Sequence, residues 1–129
     1  RVDRHPAAVL LVEHELRAKM LRLRQKAGGI LSENDLLLRL MADSVSTFCV
    51  LLRHALRLAG EEPVFDKHEI VQSAGRRFGL DSGPFNTLLD LREDKVKPRD
   101  VQPAALFREY LKQIHVVVSA VDQMNVRET

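Results

Sequence analysis

The sequence predicts an all-α fold, a mostly antiparallel helical bundle of three long and two short helices, and three observations carry that expectation. Apolar residues recur at steps of three and four through three long stretches, which is the period of an amphipathic helix, and nowhere alternate as a half-buried strand would. Proline and glycine stand where helices open and close: Pro6, Pro84 and Pro103 near starts, Gly28-Gly29, Gly60 and Gly79 at ends. Aromatic residues make up only 5% of the chain and Trp is absent, so aliphatic side chains must fill the core.

After a short polar lead from Arg1 to His5, Pro6 suits the first turn of a helix, where its missing N–H would go unbonded anyway. Val9, Val12, Leu16, Met20, Leu23 and Ala27 form the apolar stripe of this first helix, which Gly28-Gly29 ends. Glu13 and Arg17, and Glu15 and Lys19, are acid-before-base pairs one turn apart that add modest support.

The longest helical signal runs from Ser32 to Ala59, with Ser32 and Asp35 spaced as a capping box and Gly60 placed as a C-terminal cap. Apolar residues cover most of its circumference, leaving one polar stripe of Arg39, Asp43, Ser46, Arg53 and Arg57. A helix so apolar belongs at the centre of a bundle. Its Leu37, Leu38, Met41, Leu52 and Leu56 span more of the circle than the first helix, the last helix and the short helices are expected to cover. Some of the five are therefore expected near the surface, to be covered by a further domain or, as the favoured expectation, by a second copy about a two-fold axis; the alternative is a monomer in which the loop from Arg92 to Arg99 and the chain ends fold over them.

A tight connection from Glu61 to Phe65, containing Pro63, leads to Asp66, an N-cap with Glu69 at the reciprocal position. Ile70, Val71, Ala74 and Phe78 give the first short helix one apolar face, and Gly79-Leu80 stops it. Asp81 to Pro84 is turn chemistry, and Pro84 opens a second short helix through Phe85, Leu88, Leu89 and Leu91. The charged stretch from Arg92 to Arg99 reads as an exposed, mobile loop. The last helix is expected to begin near Asp100 with Pro103 in its first turn. Its buried stripe is Phe107, Tyr110, Leu111, Ile114, Val117, Val118, Val121 and Met124; Arg108, Lys112, His115, Ser119 and Asp122 form an equally regular polar one.

At 129 residues and 14.7 kDa the chain is the size of a single domain, expected to span residues 1–129. Its charge of +2, from 20 basic and 18 acidic residues, is too balanced to mark a nucleic-acid binder by itself. No run is long enough for a membrane span, and the N-terminal residues do not form a signal peptide. The single Cys49 excludes an internal disulfide framework and suits a reducing compartment, which makes the cytoplasm the expected location.

Candidate chemistry is sparse. His5, His14, His54, His68 and His115 have no zinc-type spacing among themselves or with Cys49, so no metal is expected, and no glycine-rich phosphate loop calls for a cofactor. Ser44, Thr47 and His54 share a side of the central helix, where hydroxyls commonly bond back to a carbonyl one turn earlier. Between Arg17 and Lys26 the outer face of the first helix carries Arg17, Lys19, Arg22, Arg24 and Lys26 with no acid among them. Solvated cations near the negative end of the helix account for this run; a face for nucleotide or RNA phosphate is its functional reading. Arg108 and His115, with six residues between them, match the Arg–His spacing of helical HEPN ribonucleases. Seven residues bring the pair within about 20° of one helix face and roughly 10 Å apart along the axis, so both could reach one phosphate. Such sites form where two copies of the motif meet across a dimer.

Four segments, EHELRAKMLRLRQKAGG (13–29), SVSTFCVLLRHALRLAGEEP (44–63), RRFGLDSGPFNTLLDLRE (76–93) and ALFREYLKQIHVVVSAVDQM (105–124), together resemble the C-terminal helical region of bacterial nucleotidyltransferase-like proteins. That region is similar in kind to the helical substrate-binding partners of minimal nucleotidyltransferases, which belong to the HEPN-like bundles. The resemblance covers nearly the whole chain and rests on hydrophobic pattern rather than on catalytic motifs. The transferase signature, Gly-Ser followed by paired carboxylates on a strand, does not occur here. The resemblance implies a non-catalytic accessory half, whose partner is a catalytic-type domain upstream of Arg1. A metal-independent ribonuclease using Arg108 and His115 is the competing expectation, and a purely structural dimerisation bundle the third.

Overall fold

A computed structural model of the chain describes residues 6–62 and 64–128, with side chains as far as residue 124. Arg1 to His5 and Pro63 lie outside the described residues. The architecture is all-α, as the periodicity requires: α1 (Pro6–Ala27), α2 (Asn34–Leu58), α3 (Lys67–Phe78), α4 (Gly83–Arg92) and α5 (Pro103–Glu128), with one 3-10 turn at Pro98–Asp100. There is no strand among the described residues.

The central helix is where the sequence placed it, and α2 packs against each of the other four helices. Its C-terminus closes as expected. Gly60 takes a φ of 93°, a left-handed conformation that favours glycine, and its N–H donates to the Arg57 carbonyl while the Glu61 N–H donates to that of Leu56. These two bonds are the Schellman pattern that occupies the last orphan carbonyls. The N-terminus differs. Ser32 and Asp35 do not form a capping box: the helix starts at Asn34, after a turn over residues 28–32, and no side chain caps it. α3 does carry its expected cap, with the Asp66 carboxylate accepting from the Glu69 N–H at 3.0 Å. α5 starts later than expected, at Pro103, because Pro98 to Asp100 closes on itself as a separate 3-10 turn.

Leu37, Leu38, Met41, Leu52 and Leu56 are all buried within the single chain, which overturns the expectation that some would reach the surface. The short helices cover more of α2 than expected, because α3 and α4 each pack on it as separate elements. These five residues therefore need no second copy to bury them. Large apolar side chains that do stay outside are Leu10, Leu11 and Leu21 on α1, Leu31 in the turn after it, Leu36 and Val50 on α2, and Phe65 ahead of α3, and exposed apolar side chains spread in this way need no partner to explain them. The Phe65 ring carries the Arg53 guanidinium 4.8 Å from its centroid. Leu111, expected in the buried stripe of α5, is only half-buried.

Cys49 sits in this core, 1% exposed, and burial pushes its thiol up to about 12 from an ordinary 9.0. The Tyr110 phenol, also buried, is pushed up as well. A raised pKa in the folded state means that unfolding releases protons once the pH passes the unfolded value. Stability contributed by the neutral thiol is complete below pH 9.0 and lost as pH climbs toward about 12. Folded protein at pH 8 is expected to resist a thiol-alkylating reagent that labels it at once in denaturant. Urea midpoints are expected to fall steadily above pH 9, and midpoints flat from pH 8 to 11 would contradict the buried, neutral assignment.

Candidate functional site

The five cations of α1 do not share one face. At about 100° per residue, Lys19, Arg22 and Lys26 fall on one flank of the buried stripe and Arg17 and Arg24 on the other, roughly opposite. Arg17 is held by Glu13, whose carboxylate accepts from its guanidinium at 2.9 and 3.1 Å. Glu13 itself is nearly buried, so this pair is a brace along α1 and takes Arg17 out of the free positive charge. The other expected pair, Glu15 with Lys19, does not form, and Lys19 faces α2 instead.

Lys19, Arg22 and Lys26 line one wall of a groove of about 220 Å³ between α1 and α2. Asp43, Ser44 and Thr47 form the opposite wall, and Leu23, Leu40 and Phe48 the floor. None of the three cations makes an ion pair with a described carboxylate. With one carboxylate against three cations, the groove is electropositive in a molecule whose overall charge is only +2. The volume is below the roughly 300–1,000 Å³ of sites that enclose a small molecule. It suits one phosphate with its sugar, lying on an apolar floor, rather than a whole buried nucleotide.

The hydroxyls of the second wall have different fates. Ser44 donates to the Met41 carbonyl at 2.7 Å and accepts from the buried Tyr110 hydroxyl, also at 2.7 Å. Its oxygen is therefore a joint between α2 and α5 and not a free nucleophile. Thr47 is exposed at the groove, while His54 is exposed seven residues further along the helix and does not line it. Ser44, Thr47 and His54 do not converge into a catalytic arrangement.

Arg108 and His115 both stand exposed on α5, and neither has a hydrogen bond or ion pair to another described residue. Neither lines the groove between α1 and α2 or the second concavity, which is lined by Asp81, Asp100, Gln102 and Glu109 among others.

One constellation escaped the sequence reading, which named no metal ligand. His68 at the start of α3 meets Asp90 and Glu93 at the end of α4. Its Nε2 lies 3.1 Å from Glu93 Oε2 and 3.4 Å from Asp90 Oδ1, and its Nδ1 lies 2.9 Å from Asn86 Oδ1. Lys95 Nζ donates to the other Glu93 oxygen at 2.9 Å and holds that carboxyl below the usual glutamate range. A legible signal existed, since Asn86, Asp90 and Glu93 recur at steps of four and three along one helix face. What the sequence lacked was any sign that His68, on another helix, would meet them.

No known protein family, no curated protein and no solved structure matches the chain.

Proposed function

We propose that this chain is a non-catalytic helical accessory module of a nucleotidyltransferase-like protein, and that it presents the α1–α2 groove to the phosphate of a nucleotide or of RNA in the cytoplasm. The observation that carries the binding role is the set of Lys19, Arg22 and Lys26, unpaired over an apolar floor. Cations without carboxylate partners keep their charge available to an incoming anion, and an ammonium or guanidinium bonded to phosphate makes a charge-assisted contact stronger than a neutral one. The exposed Thr47 hydroxyl adds a donor on the other wall. The association with a transferase domain upstream of Arg1 rests on the resemblance of the helical segments.

Titration with ATP, GTP and a short single-stranded RNA tests the contact. Three phosphates neutralised on a single strand predict a loss of affinity of roughly twentyfold between about 50 and about 200 mM salt. Absence of binding to all three ligands at low salt, or binding indifferent to salt, would remove the proposal.

A further inference from the structure

We propose that His68, Asp90 and Glu93 form a binding site for a first-row divalent transition ion of the Zn²⁺ class, independent of the groove on α1. The three donor atoms, one from each side chain, lie within 4.8 Å of one another, so a single ion can reach them all with small side-chain shifts. They come from two helices: the imidazole from the first turn of α3, the carboxylates from the end of α4.

The groups behind the donors orient them as a metal would require. The Asn86 side-chain oxygen faces Nδ1 at 2.9 Å, so Nδ1 carries the ring hydrogen and donates it. In the neutral ring this leaves the lone pair on Nε2, and Nε2 is the atom that faces both carboxylates. A lone pair opposite two anionic oxygens is repulsive unless a positive charge lies between them. Lys95 holds Glu93 Oε1 and leaves Oε2 turned toward the imidazole, the usual support of a ligating carboxylate. Its position follows from Asp94, whose φ of 60° turns the chain so that the Lys95 N–H returns to the Asp90 carbonyl.

One imidazole nitrogen and two carboxylate oxygens suit Zn²⁺ and its neighbours better than Mg²⁺ or Ca²⁺, which favour all-oxygen sets. The side chains are 33%, 31% and 40% exposed, so at least one coordination position stays open to water. The ion's place beside the C-terminal end of α4 adds a favourable interaction with the negative helix end. Its structural effect is a brace between α3 and α4.

Calorimetric titration of the chelator-treated chain with ZnCl₂ at pH 7, with NMR of the imidazole nitrogens, tests this. One ion per chain is expected, reversed by EDTA and not displaced by excess Mg²⁺. Binding should weaken at least tenfold in His68→Gln and in Asp90→Asn but not in His14→Gln or His115→Gln. In the unaltered chain Zn²⁺ should move the Nε2 resonance of His68 while Nδ1 keeps its hydrogen. The alternative occupant is a proton, with His68 an imidazolium bridging the two acids. Absence of binding, affinity unchanged in His68→Gln, or a His68 ring that keeps both hydrogens at saturating Zn²⁺ would overturn the proposal.

Discussion

Replacing Tyr110 with alanine is expected to destabilise the bundle by about 3–5 kcal/mol, the usual cost of truncating a large buried ring. The side chain is fully buried where α2, α4 and α5 meet. Its ring packs edge-on to Phe48 at 5.9 Å and to Phe85 at 5.2 Å, so one truncation opens a cavity against two helices at once. Against a total stability of roughly 5–15 kcal/mol, a loss of that size leaves a marginal domain. The hydroxyl is separable from the ring. Ser44→Ala strands the buried Tyr110 hydroxyl and is expected to cost about 1–3 kcal/mol, whereas Tyr110→Phe together with Ser44→Ala removes both partners and should cost less than the sum of the single changes. Urea unfolding followed by circular dichroism measures all four variants. A Tyr110→Ala midpoint close to that of the unaltered chain would show that α5 is not seated as described.

Charge reversal on α1 should separate its two flanks. Lys19→Glu, Arg22→Glu and Lys26→Glu together are expected to weaken RNA binding by about a hundredfold, taking roughly 1 kcal/mol for each partly solvated phosphate contact. Arg17→Glu with Arg24→Glu makes about two-thirds of that change in net charge and should weaken it only a few-fold, through long-range attraction alone. Arg17 is tied to Glu13 and Arg24 does not line the groove. Equal losses in the two sets, measured by fluorescence anisotropy, would mean that RNA sees only the charge of the helix and not a groove.

Periodicity was a sufficient guide to the helices because burial in a bundle repeats at the helical period. Val9, Val12, Leu16, Met20, Leu23 and Ala27 are all buried as the stripe on α1 required. Local signals did less well where alternatives of similar energy compete: Ser32 has the chemistry of a cap but lies in the turn, and Pro98 started its own 3-10 turn. The groove was half legible. A run of five cations was visible, but only rotation about the helix axis separates Lys19, Arg22 and Lys26 from Arg17 and Arg24. Phe48 and Leu40, which supply its floor, read in sequence as ordinary core. The joint between Ser44 and Tyr110 could not be read at all, since 66 positions separate them and only the packing of α5 on α2 brings them together.

Backbone amide NMR of the isotopically labelled chain, titrated with a short single-stranded RNA, tests the central claim most directly. The groove reading predicts shifts concentrated at residues 19–26 on α1 and 40–48 on α2, with α5 little changed. Shifts centred on Arg108 and His115 instead, with the groove silent, would contradict it and place the phosphate on α5.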